Sequence, residues 1–185
     1  MNTGQTILAI FAFVLLTTVL VNFYRSVSTT NEDIASGQDG ILATTISTSY
    51  TQIAQGLAFD QASDSASFSN TEIDSTKFLT PSASLGFDHT WDTTLATFDD
   101  FDDFRGRTNG PHFYNDKVAG GTGRTYRTLF DVYYVSPTNI KTKVNYQTFV
   151  KRMDLTTWRI FPPPGEDGSV DTLKMSLVVG YHHFN

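Results

Sequence analysis

The chain has 185 residues, no cysteine, 39% hydrophobic residues and a formal net charge of −6. That length suits one domain with an extra element and a buried core. The negative charge repels phosphate and anionic headgroups, which sets aside nucleic acid as a partner, and the absence of cysteine excludes disulfides, zinc-thiolate sites and a cysteine nucleophile.

No charged side chain precedes Arg25, and the run Thr6–Tyr24 reads TILAIFAFVLLTTVLVNFY. As a helix at 1.5 Å per residue it spans roughly 28 Å, close to the ~30 Å hydrocarbon core of a bilayer. Its apolar residues fall on every face, the pattern of a helix surrounded by lipid or by other helices. A cleaved signal peptide fits less well, because no basic segment precedes the run and no small-x-small cleavage site follows it. Phe23 and Tyr24 stand at its end, where aromatic rings favour a membrane interface. Beyond it, Leu42, Ile46, Tyr50, Ile53 and Leu57 recur at helical spacing and predict one apolar stripe on a continuing helix, with Gly37 and Gly40 as weak points. The helix is expected over about residues 3–59, which at 1.5 Å per residue is roughly 85 Å.

Residues 60–76 read as a polar linker, and 78–111 mixes turn residues with aromatics, a loop with short strands or helical turns that assigns no clear element. Strand patterns follow. Tyr126, Thr128, Phe130, Val132 and Tyr134 alternate before Pro137. Phe149, Lys151, Met153 and Leu155 share one face of a second strand. Leu173, Met175, Leu177 and Val179 share one face of a third. Short connections, including a turn at PPPGEDGS, predict an antiparallel sheet whose apolar face the helical stripe would cover.

Asp99, Asp100, Asp102 and Asp103 crowd into one short segment, with Asp92 nearby. Such carboxylates repel one another. Ca2+, which takes loop carboxylates and carbonyls, is one way to relieve that, although the spacing is not that of an EF-hand. The other readings are a solvated acidic loop with Arg105, Arg107 or Arg124 as partners, or a helix start favoured by negative charge. His182 and His183 are neighbours on a strand and point to opposite faces, so they do not chelate one metal together. His89 and His112 are isolated. The glycines at 120, 121 and 123 lack the lysine and flanking elements of a phosphate loop and read as a hairpin tip. No catalytic constellation is visible, and an enzyme is not expected.

A charge-free N-terminal helix, an amphipathic continuation and an antiparallel C-terminal sheet together resemble the type IV pilins and pseudopilins. The resemblance is architectural over the whole chain. It is residue-specific at FDDFDDFRGRT, similar to an Asp-rich segment of some pilin-like envelope proteins, at LTPSASLG, at DTLKMSLVVGYH, and at Tyr24, where many pilins place a tyrosine. The resemblance implies that Met1, Gln5 and Tyr24 serve assembly. It also implies a prepilin peptidase that removes a leader and methylates the new amine, and an inner-membrane pilus assembly machinery as partner. Met1 would then be the mature N-terminus; the alternative is a plain initiator. Gln5 replaces the usual glutamate, whose charge pairs with the N-terminal amine of a neighbouring subunit. Asn22 replaces a common proline, so the helix can be unbroken or melted there.

The expected fold is α+β: a long N-terminal α-helix packed on an antiparallel β-sheet head. Residues 1–25 would form the transmembrane or filament-core helix, 26–60 its amphipathic continuation and 61–185 the head. The expected role is a structural subunit of an extracellular type IV pilus-like filament, a helical homopolymer held in the bacterial inner membrane before assembly. The alternatives are a minor pseudopilin of a secretion machine and a single-span anchored binding module, calcium-dependent in one version.

Overall fold

The fold is α+β, and a computed structural model describes residues 3–63, 75–87, 90, 92, 94–106, 113–119, 121, 123–163 and 172–181. The long helix α1 (Thr3–Gln55) is followed by 3-10 turns at Thr76–Phe78 and Asp102–Arg105. Among the described residues five strands follow: β1 (Tyr114–Val118), β2 (Thr125–Ser136), β3 (Asn139–Lys143), β4 (Val150–Phe161) and β5 (Thr172–Gly180). The chain divides into two compact units, Met1–Ile41 and Leu42–Asn185.

In the first unit α1 is helical through Asn22, Gly37 and Gly40. Asn22 keeps a backbone N–H that proline would lack, so nothing breaks the ladder. A methyl group added at Gly37 or Gly40 would meet no other atom, so neither glycine answers a steric need. The apolar residues from Ile7 to Tyr24 are exposed all round, with Leu8 at 73% and Phe13 at 70%. Thr17 and Thr18 donate back to the carbonyls of Phe13 and Val14, both at 2.8 Å. Their hydroxyls are therefore satisfied within the helix, as an apolar surrounding requires.

In the second unit the sheet runs β1-β2-β4-β5, with β3 pairing the end of β2, and every pairing is antiparallel. Alternation decides which face is buried. Tyr126, Thr128, Phe130, Val132 and Tyr134 of β2 point inward, as do Lys151, Met153, Leu155 and Thr157 of β4. Leu173, Met175, Leu177 and Val179 of β5 pack against the same core. These are the faces expected from sequence. β1 and β3 were not expected; both are short and largely exposed, so they carry no alternation to read.

The last turns of α1 cover this face. Ala43, Ile46, Ser47, Tyr50 and Ala54 are its buried residues, at i, i+3, i+4, i+7, i+11 spacing. Ile53, placed on the stripe from sequence, is 40% exposed, and small residues complete the face instead. Small residues let the helix backbone approach the sheet. The ring of Phe130 meets Tyr50 edge-on at 5.1 Å and contacts Phe104 and Phe113. Among these rings, Ser47 Oγ lies 2.8 Å from Thr157 Oγ1, which lies 3.0 Å from Thr128 Oγ1.

Phe130 joins helix, sheet and the Asp-rich segment, and its side chain is fully buried. Replacing it with alanine is expected to cost about 3–5 kcal/mol, read as a lower denaturant midpoint in detergent solution.

Candidate functional site

Two sets of residues were singled out by sequence. The assembly set lies on α1. Gln5 and Tyr24 are exposed helical residues, and Phe23 and Tyr24 meet edge to face at 6.3 Å between ring centres. Met1 lies outside the described residues. So do His89, His112, His182 and His183, Arg107, Gly120, most of the 60–76 linker and most of the PPPGEDGS turn. Gly121 and Gly123 have φ of 76° and 67° between β1 and β2, and Ala119 donates to the Arg124 carbonyl at 2.8 Å, the geometry of a hairpin tip.

The Asp-rich segment is not a solvated loop. Asp100, Asp102 and Asp103 are buried; Asp99 is partly exposed. The chain just after α1 lies beside it. Ala58 pairs with Asp100 in a parallel bridge, and Phe101 N donates to Ala58 O at 2.9 Å. Two of the aspartates serve the local backbone. Asp100 Oδ1 accepts from the N–H groups of Asp102 and Asp103 at 2.9 and 3.2 Å, satisfying donors at the start of the 3-10 turn. Asp103 Oδ2 accepts from Asp99 N at 3.1 Å. Arg105 does not pair with them; it donates to the carbonyls of Ser82 and Leu85.

Asp102 turns inward and meets a cation. Lys151 Nζ contacts Asp102 Oδ1, and donates to Asp60 Oδ2 at 2.8 Å and to Phe59 O at 2.7 Å. The side chains of Lys151 and Asp60 are wholly buried, and that of Asp102 nearly so. The ring of Phe59 lies 4.7 Å from Nζ and that of Tyr134 5.4 Å. An ammonium has three N–H donors, and three acceptors surround it. The outer acceptors are held in turn. Asp60 accepts from Thr80 N, Thr80 Oγ1 and Ala62 N. Tyr134 OH sits between Asp60 Oδ2 and Thr80 O, and Gly86 N donates to Asp102 Oδ2.

The electrostatics follow from this crowding. Burial works against the Lys151 charge, but Asp102, Asp60 and Asp100 outweigh it and hold the ammonium above its usual range. Burial pushes Asp102 up while Lys151 pulls it down. Burial prevails and Asp102 lies above the usual carboxylate range, while the three acceptors on Nζ hold Lys151 as the ammonium. Burial, then the charge of Asp102, pushes Asp100 from 3.8 up to about 9.

Among the described residues no group of three or more acidic or histidine side chains converges to hold a metal ion. In the segment weighed for calcium, Asp100 Oδ1 and Asp103 Oδ2 accept from the segment's own N–H groups and Asp102 faces Lys151, while Asp99 Oδ1 is buried with no hydrogen-bond partner among the described residues. Sequence reasoning missed Lys151, Asp60 and Tyr134. The signal was there, since Lys151 shares the apolar register of Met153 and Leu155 and so needed a buried counter-charge.

No protein-family model, curated protein or solved structure matches the chain. The architecture itself is pilin-like: a long apolar N-terminal helix whose continuation packs on an antiparallel sheet. That helix is long and apolar enough to cross a membrane, the character of a membrane anchor or a signal sequence.

Replacing Lys151 with methionine leaves two buried carboxylates facing each other and is expected to cost about 3–5 kcal/mol. The combined Lys151→Met, Asp60→Asn, Asp102→Asn variant should recover part of that loss in the same denaturation assay. Asp100 gives a pH dependence of definite sign. Folded, it holds its proton to about 9; unfolded, it releases it at 3.8. The native state therefore binds more protons in between. Its contribution is full below the unfolded value and is lost as pH rises to the folded one, by at most ~1.4 kcal/mol per pH unit. Asp116 and Asp154, both lowered, titrate below that window. Melting temperature is expected to rise between about pH 8 and about pH 5. Asp100→Asn, which keeps the Oδ1 acceptor, should reduce that slope.

Proposed function

We propose that this protein is a structural subunit of an extracellular type IV pilus-like filament. The supporting observation is a helix exposed and apolar on every face that continues into turns packed on one side against a sheet. The apolar part would lie in the inner membrane before assembly and in a bundle of like helices afterwards. The sheet-bearing part would tile the outside. Moving the helix from lipid to other helices gains little hydrophobic free energy, because lipid is already apolar. Close packing and contacts between heads then decide filament stability. The role is structural rather than catalytic, and its partners are other copies of the chain, a prepilin peptidase and an inner-membrane assembly machinery.

Gln5 has a place in this reading. A neutral amide avoids the cost of burying a carboxylate in an apolar bundle and can still hydrogen-bond to a neighbouring subunit. Packing and amide hydrogen bonds, rather than charge matching, would then set how subunits align.

Electron microscopy of sheared surface material, with mass spectrometry of the N-terminal peptide, tests the reading. Fibres containing this chain are expected, and the N-terminal peptide distinguishes a methylated Met1 from a plain initiator. A chain that stays monomeric when detergent is removed, and is missing from surface fibres, would sink it. Leu16→Arg places a charge at the middle of the apolar run at a cost of about 3 kcal/mol for insertion. It should abolish fibres and lower the membrane-bound fraction.

A further inference from the structure

We propose that Lys151 and Asp102 are the partners of an intramolecular amide bond, formed by the folded protein itself, that ties β4 to the Asp-rich segment. The inference rests on the buried lysine site and is independent of the filament reading.

Four observations carry it. First, Nζ and the Asp102 carboxyl are in contact, from positions 49 residues apart in sequence. Second, both side chains are shut away from solvent, and the rings of Phe59 and Tyr134 flank the amine. In water a carboxylate and an ammonium do not condense, since both are stabilised by hydration and water is the product. In a dry site the charged pair loses that hydration and the released water can leave. Third, the orientation of the amine is fixed. Two of its N–H groups are held by Phe59 O and Asp60 Oδ2. Loss of the third proton therefore leaves the lone pair aimed at Asp102. Fourth, Asp60 stands 2.8 Å from Nζ as a second carboxylate, placed to carry a proton.

The step balances without any outside reagent. The ammonium gives the proton it shares with Asp102 to the Asp102 carboxylate, which produces a neutral amine and a neutral acid. A turn of the Asp102 carboxyl then presents its carbon to Nζ. The nitrogen lone pair forms the C–N bond, and the nitrogen passes one proton to Asp60. The C–O bond breaks, and the departing hydroxyl takes that proton from Asp60 and leaves as water. Asp60 ends as it began, and the amide keeps one N–H. That N–H can still donate to Phe59 O.

The test is mass spectrometry of the purified full-length chain in detergent, freshly made and after prolonged incubation. The expected mass is about 18 Da below that required by the sequence and its N-terminal processing, the loss of one water. Proteolysis should yield a branched peptide containing both residue 102 and residue 151. Lys151→Arg and Asp102→Ala should each restore the full mass. Asp60→Asn should slow the water loss while leaving Lys151 and Asp102 in place. Wild-type protein at full mass after incubation, with Lys151 and Asp102 in separate linear peptides, overturns the proposal. A water loss that maps to a linear peptide, such as one containing Asp39–Gly40, overturns it as well.

Discussion

A lysine whose position on a strand points it into an aromatic core cannot leave its charge unanswered. Water is excluded there, and an isolated ammonium would cost far more than the domain's net stability. Lys151 is in that position, between the rings of Phe59 and Tyr134. Its three acceptors come from two distant stretches, the segment just after α1 and the 3-10 turn at Asp102–Arg105. Those stretches are otherwise short of regular structure. Asp60 in turn gathers Thr80 and Tyr134, and Asp102 gathers Gly86. One cation thus fixes where the irregular half of the head lies on the regular half. A buried network of this kind is worth keeping only when every member is satisfied, which makes it a specificity device as much as a stabilising one.

The parts of the fold that were legible in the sequence are those where one rule dominated. β2, β4 and β5 have one buried face, so apolar residues alternate and the faces can be named residue by residue. β1 and β3 are mostly exposed and give no such pattern. The N-terminal helix is declared by its lack of charge. Its contact face was harder to find, because Ala43, Ser47 and Ala54 are small and Ile53 faces outward. The Asp-rich segment was legible as a place of importance but not as a structure. Spacing alone does not tell which of these carboxylates caps a backbone N–H, as Asp100 does, and which faces a distant lysine, as Asp102 does. The counter-charge lay far away in the chain, and only the sheet's pleat brought it near.

The two ends of α1 show the same composition-level property put to opposite uses. Near its start, the hydroxyls of Thr17 and Thr18 turn back onto the helix, and they are the only polar side chains between Ile7 and Val21. Near its end, the hydroxyl of Ser47 turns outward and is answered by the sheet. A threonine or serine that bonds its own helix suits a surrounding that need not be chosen in advance. One that bonds a named partner suits a fixed neighbour.

The chain of hydroxyls from Ser47 through Thr157 to Thr128 also acts as a detent against sliding. Apart from Lys117 of β1, which reaches Ser49 Oγ and the Tyr50 ring, the core of that contact is mostly apolar and nearly indifferent to small translations of the helix along the sheet. Shift the helix by one turn and Ala43 or Tyr50 comes opposite Thr157 in place of Ser47. The displaced hydroxyls are then stranded in a dry layer, at a cost of roughly 1–3 kcal/mol for each one left unanswered. Three small side chains therefore give a slippery interface a single seat.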